Sequence, residues 1–363
     1  MKSIASIEGI IILLISSVIL TAGCSELKLP STDDDKHTEQ PEGDGSDNGS
    51  DNNDNDGNDN DGNDNDNNDN DNNDNEDNGT SPTTGNSFGW FELPKIIDED
   101  GDDVIDGSEQ LYYAHHLCAG VEIGPNGKKA RNYTVCYSGK YHCPVWVAAP
   151  RHEMYAKKNT SRTDAYGFDP KIPKDIQYRS KKTGDGCNKG HMLGSAERLC
   201  SRATNEQVFY YTNIAPQLSA GFNTGGGGWN LLEDFIDTVV PADTLYEVIG
   251  CYFEEYTDGY GNKVKPKKIS FGGRDDVSFP TMFYYAVLRT KKGNSNKSVT
   301  ECQADELQCV AFVRSHTNNL KGQKPSSREM MSISDLERIT GFTYFANVPA
   351  APKSTFKASD WGL

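Results

Sequence analysis

The pattern of apolar and polar residues divides the chain into a polar stretch and a longer region of short apolar segments. Residues 33–79 contain almost no apolar side chain, whereas several later runs are rich in Val, Tyr and Phe, as strands are. The strands predicted from these runs cover residues 132–137, 144–149, 245–253, 281–290 and 307–313.

Two segments show the spacing of an amphipathic helix instead. Over residues 229–239 the apolar side chains recur every three or four positions, and Pro241 follows. A second helix is predicted to begin at Ser334, a capping residue with Glu337 three positions later, and to stop at Gly341. Strands and helices are mixed without regular strand–helix–strand alternation, which predicts the α+β class.

Composition predicts that only the later part of the chain folds. Residues 33–79 cannot bury enough apolar surface to offset the entropy of ordering them. We therefore predict a disordered Asp/Asn/Gly-rich tether over residues 25–86, an acidic lead-in over 87–110 and one domain over 111–363. Calcium binding by the closely spaced carboxylates is the alternative for the tether and for residues 98–109, although Asp103 stands where a calcium loop needs Gly.

Residues 1–24 have the pattern of an export signal. Lys2 precedes an apolar run at residues 10–20 that is too short to span a bilayer comfortably, and small residues then lead to Cys24. This resembles a bacterial lipoprotein signal, in which Cys24 becomes the lipidated N-terminus and anchors the chain to a membrane. We expect an exported lipoprotein on the outer membrane or cell surface of a Gram-negative bacterium; the alternative is a cleaved signal peptide and a secreted or periplasmic protein.

The cysteine count agrees with export. Apart from Cys24 the chain has eight cysteines, an even number that suggests up to four disulfides in an oxidising compartment. Cys136 and Cys143 flank a short loop between two predicted strands, so we expect them to pair across a hairpin. Cys302 and Cys309 are also close in sequence and form a second candidate pair.

Zinc binding is the alternative use of three residues in this set. Cys187, His191 and Cys200 are ligand types that zinc prefers. Their separations do not form two CxxC pairs, so the spacing favours disulfides over zinc.

Charge is distributed unevenly along the chain. The net charge is −18, and residues 33–79 hold 19 acidic residues and one Lys. Residues 110–363 hold 32 basic and 25 acidic residues, so the predicted domain carries +7. A basic domain suits a polyanionic partner.

One ordered set of polar residues offers the chemistry of phosphodiester hydrolysis. That reaction needs a base to activate water, positive charge beside the phosphate, and a cation or acid at the leaving oxygen. The candidates are His191 beside Lys189, then Asn213 and Asn223, and then Glu233 on the predicted helix. Any single His is more often structural, so the prediction depends on the whole set.

This set resembles the DNA/RNA non-specific endonuclease family of ββα-metal (His-Me finger) nucleases. The family's Asp-Arg-Gly-His motif falls on residues 188–191, its Thr-Asn-Ile-x-Pro-Gln segment on 212–217, a later Asn on Asn223, and its Trp with a Glu four positions on at Trp229 and Glu233. The resemblance covers nearly all of 111–363. It implies a central antiparallel sheet with flanking helices, DNA and RNA as substrates bound through phosphate contacts, and no protein partner.

By this resemblance, four side chains act on the substrate or its surroundings. His191 is the general base that takes a proton from the attacking water. Asn213 holds the His191 region or the phosphate. Arg162 and Lys189 offset the charge that develops on the phosphoryl oxygens.

The resemblance also implies a metal cofactor. Asn223 is expected to bind one Mg²⁺ directly, with Mn²⁺ as the other ion of suitable chemistry, and waters complete the coordination. Glu233 is expected to orient a metal-bound water. Hydrolysis is expected to leave 5′-phosphate ends.

The chain departs from the family pattern at several positions. Asn188 replaces an Asp, Lys189 replaces an Arg and so loses its planar fork, and Asp237 stands where some members have an Arg. The four glycines at 225–228 predict a flexible run beside the metal ligand. These departures keep an alternative open: a catalytically weak or inactive surface lipoprotein that binds nucleic acid. A phosphodiesterase of small phosphate esters is a further alternative.

Overall fold

The computed structural model describes residues 90–96, 104–105 (backbone only), 110–119 and 130–363, all within one compact unit at Asn75–Leu363. The predicted signal peptide, Cys24, the tether at 25–86 and most of the lead-in at 87–110, including the calcium-loop alternative, lie outside the described residues. In the described ranges no helix combines the length and the apolar character that crossing a bilayer requires.

One sheet of eight antiparallel strands forms the centre of the domain. Its strands from edge to edge are β1 (Val104–Ile105), β2 (Leu111–Leu117), β3 (Arg131–Ser138), β4 (Cys143–Arg151), β7 (Leu245–Tyr252), β12 (Met282–Thr290), β13 (Leu307–Ser315) and β14 (Met330–Met331). The numbers follow the chain, so the chain leaves the sheet after β4 and returns beside it as β7. The five predicted strands are confirmed, and so is the α+β class with a central antiparallel sheet.

The middle strands are buried on both faces, which explains their continuous apolar sequence. Successive side chains of a strand point to opposite faces. In β12, Tyr285 stacks on Trp229 with ring centroids 4.9 Å apart. On the opposite face, Tyr284 accepts a 2.8 Å hydrogen bond from the hydroxyl of Tyr344. The core therefore lies on both sides of the sheet.

The described residues include four α-helices beside the sheet: α1 (Glu153–Ala156), α2 (Arg202–Gln207), α3 (Gly228–Val239) and α4 (Ile333–Thr340). The buried side chains of α3 include all four residues whose spacing predicted the helix, namely Trp229, Leu232, Ile236 and Val239. The helix predicted at 229–239 is thus confirmed, and its apolar face packs on the sheet.

The N-terminal cap of α4 differs from the prediction. Ser332, not Ser334, caps the helix, since its hydroxyl accepts a 3.0 Å hydrogen bond from the backbone NH of Asp335. Both serines have an acidic residue three positions later, but the Glu337 carboxylate accepts a backbone NH from the segment after the helix. The predicted stop is confirmed, because Gly341 adopts φ of 80° at the C-cap.

Three small hairpins complete the described strands: β5 (Cys187–His191) with β6 (Ile214–Leu218), β8 (Tyr256–Thr257) with β9 (Lys263–Val264), and β10 (Lys268–Phe271) with β11 (Arg274–Ser278). The β5–β6 hairpin and α3 both lie in the segment of the chain between β4 and β7, which we call the excursion. Together they give the strand–strand–helix order that the resemblance implies.

The two predicted disulfide pairs, Cys136–Cys143 and Cys302–Cys309, are not formed in the structure. Cys143 carries a free thiol, because the β3–β4 register places it opposite Ser138 and places Cys136 opposite Trp146. Cys302 and Cys309 are free thiols too. The Cys302 thiol points to a backbone carbonyl of its own loop, and Cys309 lies within β13.

Candidate active site

A cleft of about 770 Å³ brings together five of the six predicted site residues. They are Arg162, Lys189, His191, Asn223 and Glu233. The β5–β6 hairpin and the loop after it provide one side of the cleft, and α3 provides the other. Residues that are far apart in sequence thus line the same cleft, because the excursion folds back over its β5–β6 hairpin.

His191 is the last residue of β5, and its ring is held by aromatic neighbours. The ring packs edge-on against Phe209, with centroids 4.8 Å apart, and lies 5.9 Å from the Tyr166 ring. Its Nε2 is buried, and none of the described residues offers it a hydrogen-bond partner. Burial, and after it the nearby positive charge of Arg162, lowers the pKa of His191 to about 3. The imidazole is therefore neutral at neutral pH.

Two cations flank this ring. The guanidinium of Arg162 lies 4.8 Å from the Phe209 ring centroid and donates to Asp164 at 2.7 Å. The ammonium of Lys189 lies 4.8 Å from the Tyr166 ring centroid. Both contacts are of the cation–π type, which holds a flexible side chain over a ring without neutralising its charge. The wall beside His191 is therefore positive.

A chain of amides holds Asn223 at the cleft. The Asn188 side chain donates to Asn223 Oδ1 at 3.0 Å, and Asn223 Nδ2 donates to Gln217 Oε1 at 2.5 Å. Gln217 is fully buried above Gly190, where a Cβ would lie 2.1 Å from its Cδ. Glycine at 190 is thus required by the close approach of Gln217, which in turn fixes Asn223.

The glycines at 225–228 lead from a turn into the start of α3, and the flexibility predicted for them stays a prediction. Gly226 adopts φ of 74°, a conformation that favours glycine. A Cβ on Gly227 would lie 2.4 Å from the Phe222 carbonyl oxygen, and one on Gly228 would lie 2.8 Å from Leu320 Cβ. Three of the four glycines are therefore demanded by backbone conformation or by close neighbours.

A buried ion pair anchors the end of this turn. Arg314 donates to the carbonyl oxygen of Gly228 and pairs with Glu329 at 2.9 Å, and both side chains are inaccessible to solvent. The start of α3 is therefore held to β13.

Glu233 lies one turn into α3 and faces a group of like charges. Burial, and after it the Glu197 carboxylate, raises the pKa of Glu233 to about 8. Arg151, at the end of β4, counters these charges: it forms an ion pair with Asp237 and lies 3.3 Å from Glu197 and 3.5 Å from Glu247. The opposite wall of the cleft therefore carries several carboxyl groups, which surround the guanidinium of Arg151.

Arg151 and Glu197 were missed from the sequence. Neither belongs to the motif, and no local spacing connects the end of β4 with the short 3-10 helix Ser195–Arg198. The departure at Asp237 was a partial signal, because an acid in that place needs a cation from elsewhere in the fold.

Asn213 lies outside the cleft and contacts no part of its surface. It is fully buried; its Oδ1 accepts from Leu193 NH at 3.0 Å, and its Nδ2 donates to the carbonyls of Leu193 at 3.0 Å and Val208 at 2.7 Å. These bonds clamp the segment that follows His191. This placement fits the first of its two predicted roles, which is to hold the His191 region.

The zinc alternative does not hold. Among the residues that the structure describes, no three His, Cys, Asp or Glu side chains are placed to hold a metal ion. Cys187 packs with β10 and β11, whereas Cys200 packs with Cys118 and Tyr155, so the two thiols lie in separate clusters.

Comparisons with known proteins agree with this geometry. A family model described as DNA/RNA non-specific endonuclease matches residues 119–351. The chain is 24% identical over 227 residues to the mitochondrial nuclease EXOG of Danio rerio, covering 62% of this chain and 62% of that protein. It is 21% identical over 230 residues to the mitochondrial endonuclease G of Homo sapiens, covering 61% of this chain and 70% of that protein.

A crystal structure of the EndoG/EndoGI complex overlaps the chain with a TM-score of 0.48 at 20% identity, covering 65% of this chain and 87% of the other. The sequence alignment with the nuclease EXOG of Danio rerio spans less than two thirds of that protein's length. The family model, in contrast, covers well over half of this chain. The protein therefore belongs to the DNA/RNA non-specific endonuclease family.

Proposed function

We propose that the domain is a metal-dependent endonuclease that hydrolyses phosphodiester bonds of DNA and RNA with little sequence preference. The observation that carries the proposal is His191 Nε2, a buried nitrogen without a described partner, in a cleft beside two cations. Family membership supports the same reaction class.

In this proposal His191 is the general base. The low pKa of the ring keeps it neutral, so a lone pair is available for the proton of an attacking water. Phe209 and Tyr166 hold the ring in place, and Asn213 clamps the backbone after it. A bound phosphate would offset the positive charge that lowers this pKa and would make His191 a stronger base.

Arg162 and Lys189 are proposed to bind the phosphate that is cleaved. Both are held over aromatic rings, so their charge is placed before substrate arrives. Contacts of this kind read the backbone and not the bases, which fits substrates of either sugar. Affinity is then expected to fall steeply with salt.

The residues present fit a hydrated divalent cation. Asn223 Oδ1 is a hard oxygen at the cleft, and it keeps a lone pair after accepting the bond from Asn188. Mg²⁺ is commonly held by one or two protein oxygens and several waters, and Glu233 lies in the same cleft to accept hydrogen bonds from such waters. Bound through Asn223, Mg²⁺ or Mn²⁺ would supply positive charge to the departing 3′ oxygen.

One observation favours the alternative, a nucleic-acid-binding protein of the same fold with little or no cleavage. Asn188 stands where the family has Asp, and its amide donates to Asn223 Oδ1. A carboxylate cannot make this bond, and its negative charge would strengthen cation binding. The substitution therefore weakens the proposed metal site while leaving the cationic wall intact.

Export and membrane anchoring through a lipidated Cys24 are proposed from the sequence pattern alone. Mass spectrometry of the mature N-terminus tests this: a lipid-modified Cys24 is expected, and an unmodified N-terminus would show ordinary secretion.

The activity is tested by digesting supercoiled plasmid and total RNA with the purified chain, with Mg²⁺, with EDTA and as His191→Ala. We expect loss of both substrates with Mg²⁺, none with EDTA, and a rate about 10²–10⁴-fold lower in the variant. His152→Ala is the matched control, since its ring contacts only backbone groups at the cleft rim.

Each outcome separates the two candidate functions. Undiminished cleavage by His191→Ala would remove His191 as the base. Folded wild type that binds DNA but cuts neither substrate with Mg²⁺ or Mn²⁺ would establish the binding protein instead.

A further inference from the structure

Two cysteines outside the cleft lie side by side in a small cluster of their own. Cys118 directly follows β2, and Cys200 lies between the 3-10 helix Ser195–Arg198 and α2. Both are buried against Tyr155, and their thiols are within hydrogen-bonding reach of each other. In the structure both are thiols.

The backbones that carry these two sulfurs are already joined. Ala119 NH donates to Thr204 Oγ1 at 3.0 Å, and the hydroxyls of Ser201 and Thr204 both donate to the Ala119 carbonyl. Cys200 NH also donates to the Tyr155 carbonyl at 3.0 Å. Hydrogen bonds on both sides of the pair therefore hold the two segments next to each other.

The surroundings favour attack by one of the two sulfurs. The hydrogen bond from the Cys118 thiol lowers the pKa of Cys200 to about 6, although burial opposes this. The Arg198 guanidinium lies 4.6 Å from the Tyr155 ring and adds positive charge to the cluster. Cys200 is therefore the sulfur that reacts first as a thiolate.

We propose that Cys118 and Cys200 form a disulfide when the folding chain meets a disulfide-bearing oxidant. The Cys200 thiolate attacks one oxidant sulfur and releases the other as a thiolate. Cys118 then loses its proton and attacks the Cys200 sulfur, which forms the Cys118–Cys200 bond and releases the second oxidant thiolate. Two electrons pass to the oxidant, which leaves as a dithiol.

A second pair of thiols in the described core also lies within hydrogen-bonding reach. Cys143 and Cys251 lie on the paired strands β4 and β7, but Trp146 faces Gly250, so the two cysteines are diagonal and not directly opposed. Burial raises the pKa of the Cys251 thiol, so Cys251 is not the thiolate that would begin the exchange. Cys251 also contacts the sulfur of Met192 at 3.7 Å.

The cross-link would tie a cleft wall to the central sheet. Gly194, Ser195, Ala196 and Glu197 line the cleft a few residues before Cys200, and Cys118 continues β2. The loop closed by the bond spans roughly 80 residues, which restricts the unfolded chain strongly. The proposal does not depend on nuclease activity.

The test is a cysteine map of the full chain refolded with glutathione disulfide, alkylated without reduction and digested for mass spectrometry. We expect a peptide pair joined through Cys118 and Cys200, with Cys302 and Cys309 alkylated. Single alkylation of both Cys118 and Cys200, or a link from either to another cysteine, would overturn the proposal.

Thermal unfolding gives a second readout. Reductant is expected to lower Tm by about 5–15 °C. The double variant Cys118→Ala, Cys200→Ala should lose this dependence on reductant, and the control Cys302→Ala should keep it. A wild-type Tm that is equal with and without reductant would contradict the cross-link.

Discussion

Replacing Gly190 by Ala tests whether packing beneath the cleft controls the metal-binding side chain. The added Cβ would lie 2.1, 2.3 and 2.4 Å from Cδ, Oε1 and Cγ of Gln217. Gln217 has no exposed surface, so it cannot swing into solvent. To reach ordinary contact it must move by more than about 1 Å, which breaks the 2.5 Å hydrogen bond from Asn223.

The expected cost follows from these contacts. Overpacking a filled site costs about 1–3 kcal/mol, and stranding a buried amide costs about 1–3 kcal/mol more. Gly190→Ala should therefore lose about 2–5 kcal/mol of unfolding free energy and lower Tm by about 5–15 °C. Asn223 loses its anchor at the same time, and a shift of about 1 Å at such a group can lower the cleavage rate about 100-fold.

Circular dichroism melts and plasmid cleavage at a temperature well below both melting points measure the two effects. Gly225→Ala is the matched control, because a Cβ there meets nothing within 4 Å and the residue lies only two positions after Asn223. Its Tm should stay within about 2 °C of wild type. A Gly190→Ala protein that melts and cleaves like wild type would refute the packing argument; lower Tm with unchanged cleavage would show that Gln217 does not position Asn223.

Two further variants test buried groups around the site. His316 accepts a 2.8 Å hydrogen bond from Leu218 NH, and burial lowers the pKa of His316 from the usual 6.5 to about 3. The neutral ring therefore contributes its full share to the free energy of unfolding above pH 6.5, and this contribution is lost as the pH falls towards 3. The Tm deficit of His316→Gln should thus narrow between pH 7.5 and 5.0, by the equivalent of about 2 kcal/mol, and a constant deficit would contradict the assignment of a neutral His316. Asn213→Ala leaves three buried backbone groups without a hydrogen-bond partner and should lower the free energy of unfolding by about 3–6 kcal/mol, measured as a lower midpoint of unfolding in urea. Lost cleavage at unchanged stability would instead make Asn213 a direct substrate contact.

Most of the fold could be predicted because its signals are local. The strands were recognisable from their β-branched and aromatic runs, and α3 from the spacing of four apolar residues that the structure buries together. The cap of α4 was missed because Ser332 and Ser334 are equivalent by local spacing. The choice between them depends on where the Glu337 carboxylate binds after the chain has folded.

The candidate site could be predicted only as far as its motif. Residues 188–191, Asn223 and Glu233 follow a recognisable order, and the structure brings them to one cleft. Arg151 and Glu197 meet Asp237 only through the tertiary fold, so no spacing in the sequence reveals them. The close neighbours of Gly227 and Gly228 could not be predicted either, because composition reports conformational freedom and not tertiary contacts.

The cleft is built almost entirely from the chain between two strands that already pair with each other. β4 and β7 are neighbours in the sheet, and Arg162, Lys189, His191, Asn223 and Glu233 all lie between them in sequence. The predicted site residues and the hydrogen-bonded strands of the central sheet therefore occupy separate stretches of sequence. Substitutions that alter the substrate or the rate can accumulate in the excursion while the strands of the sheet keep their register. This architecture therefore allows the chemistry to change while the sheet stays the same.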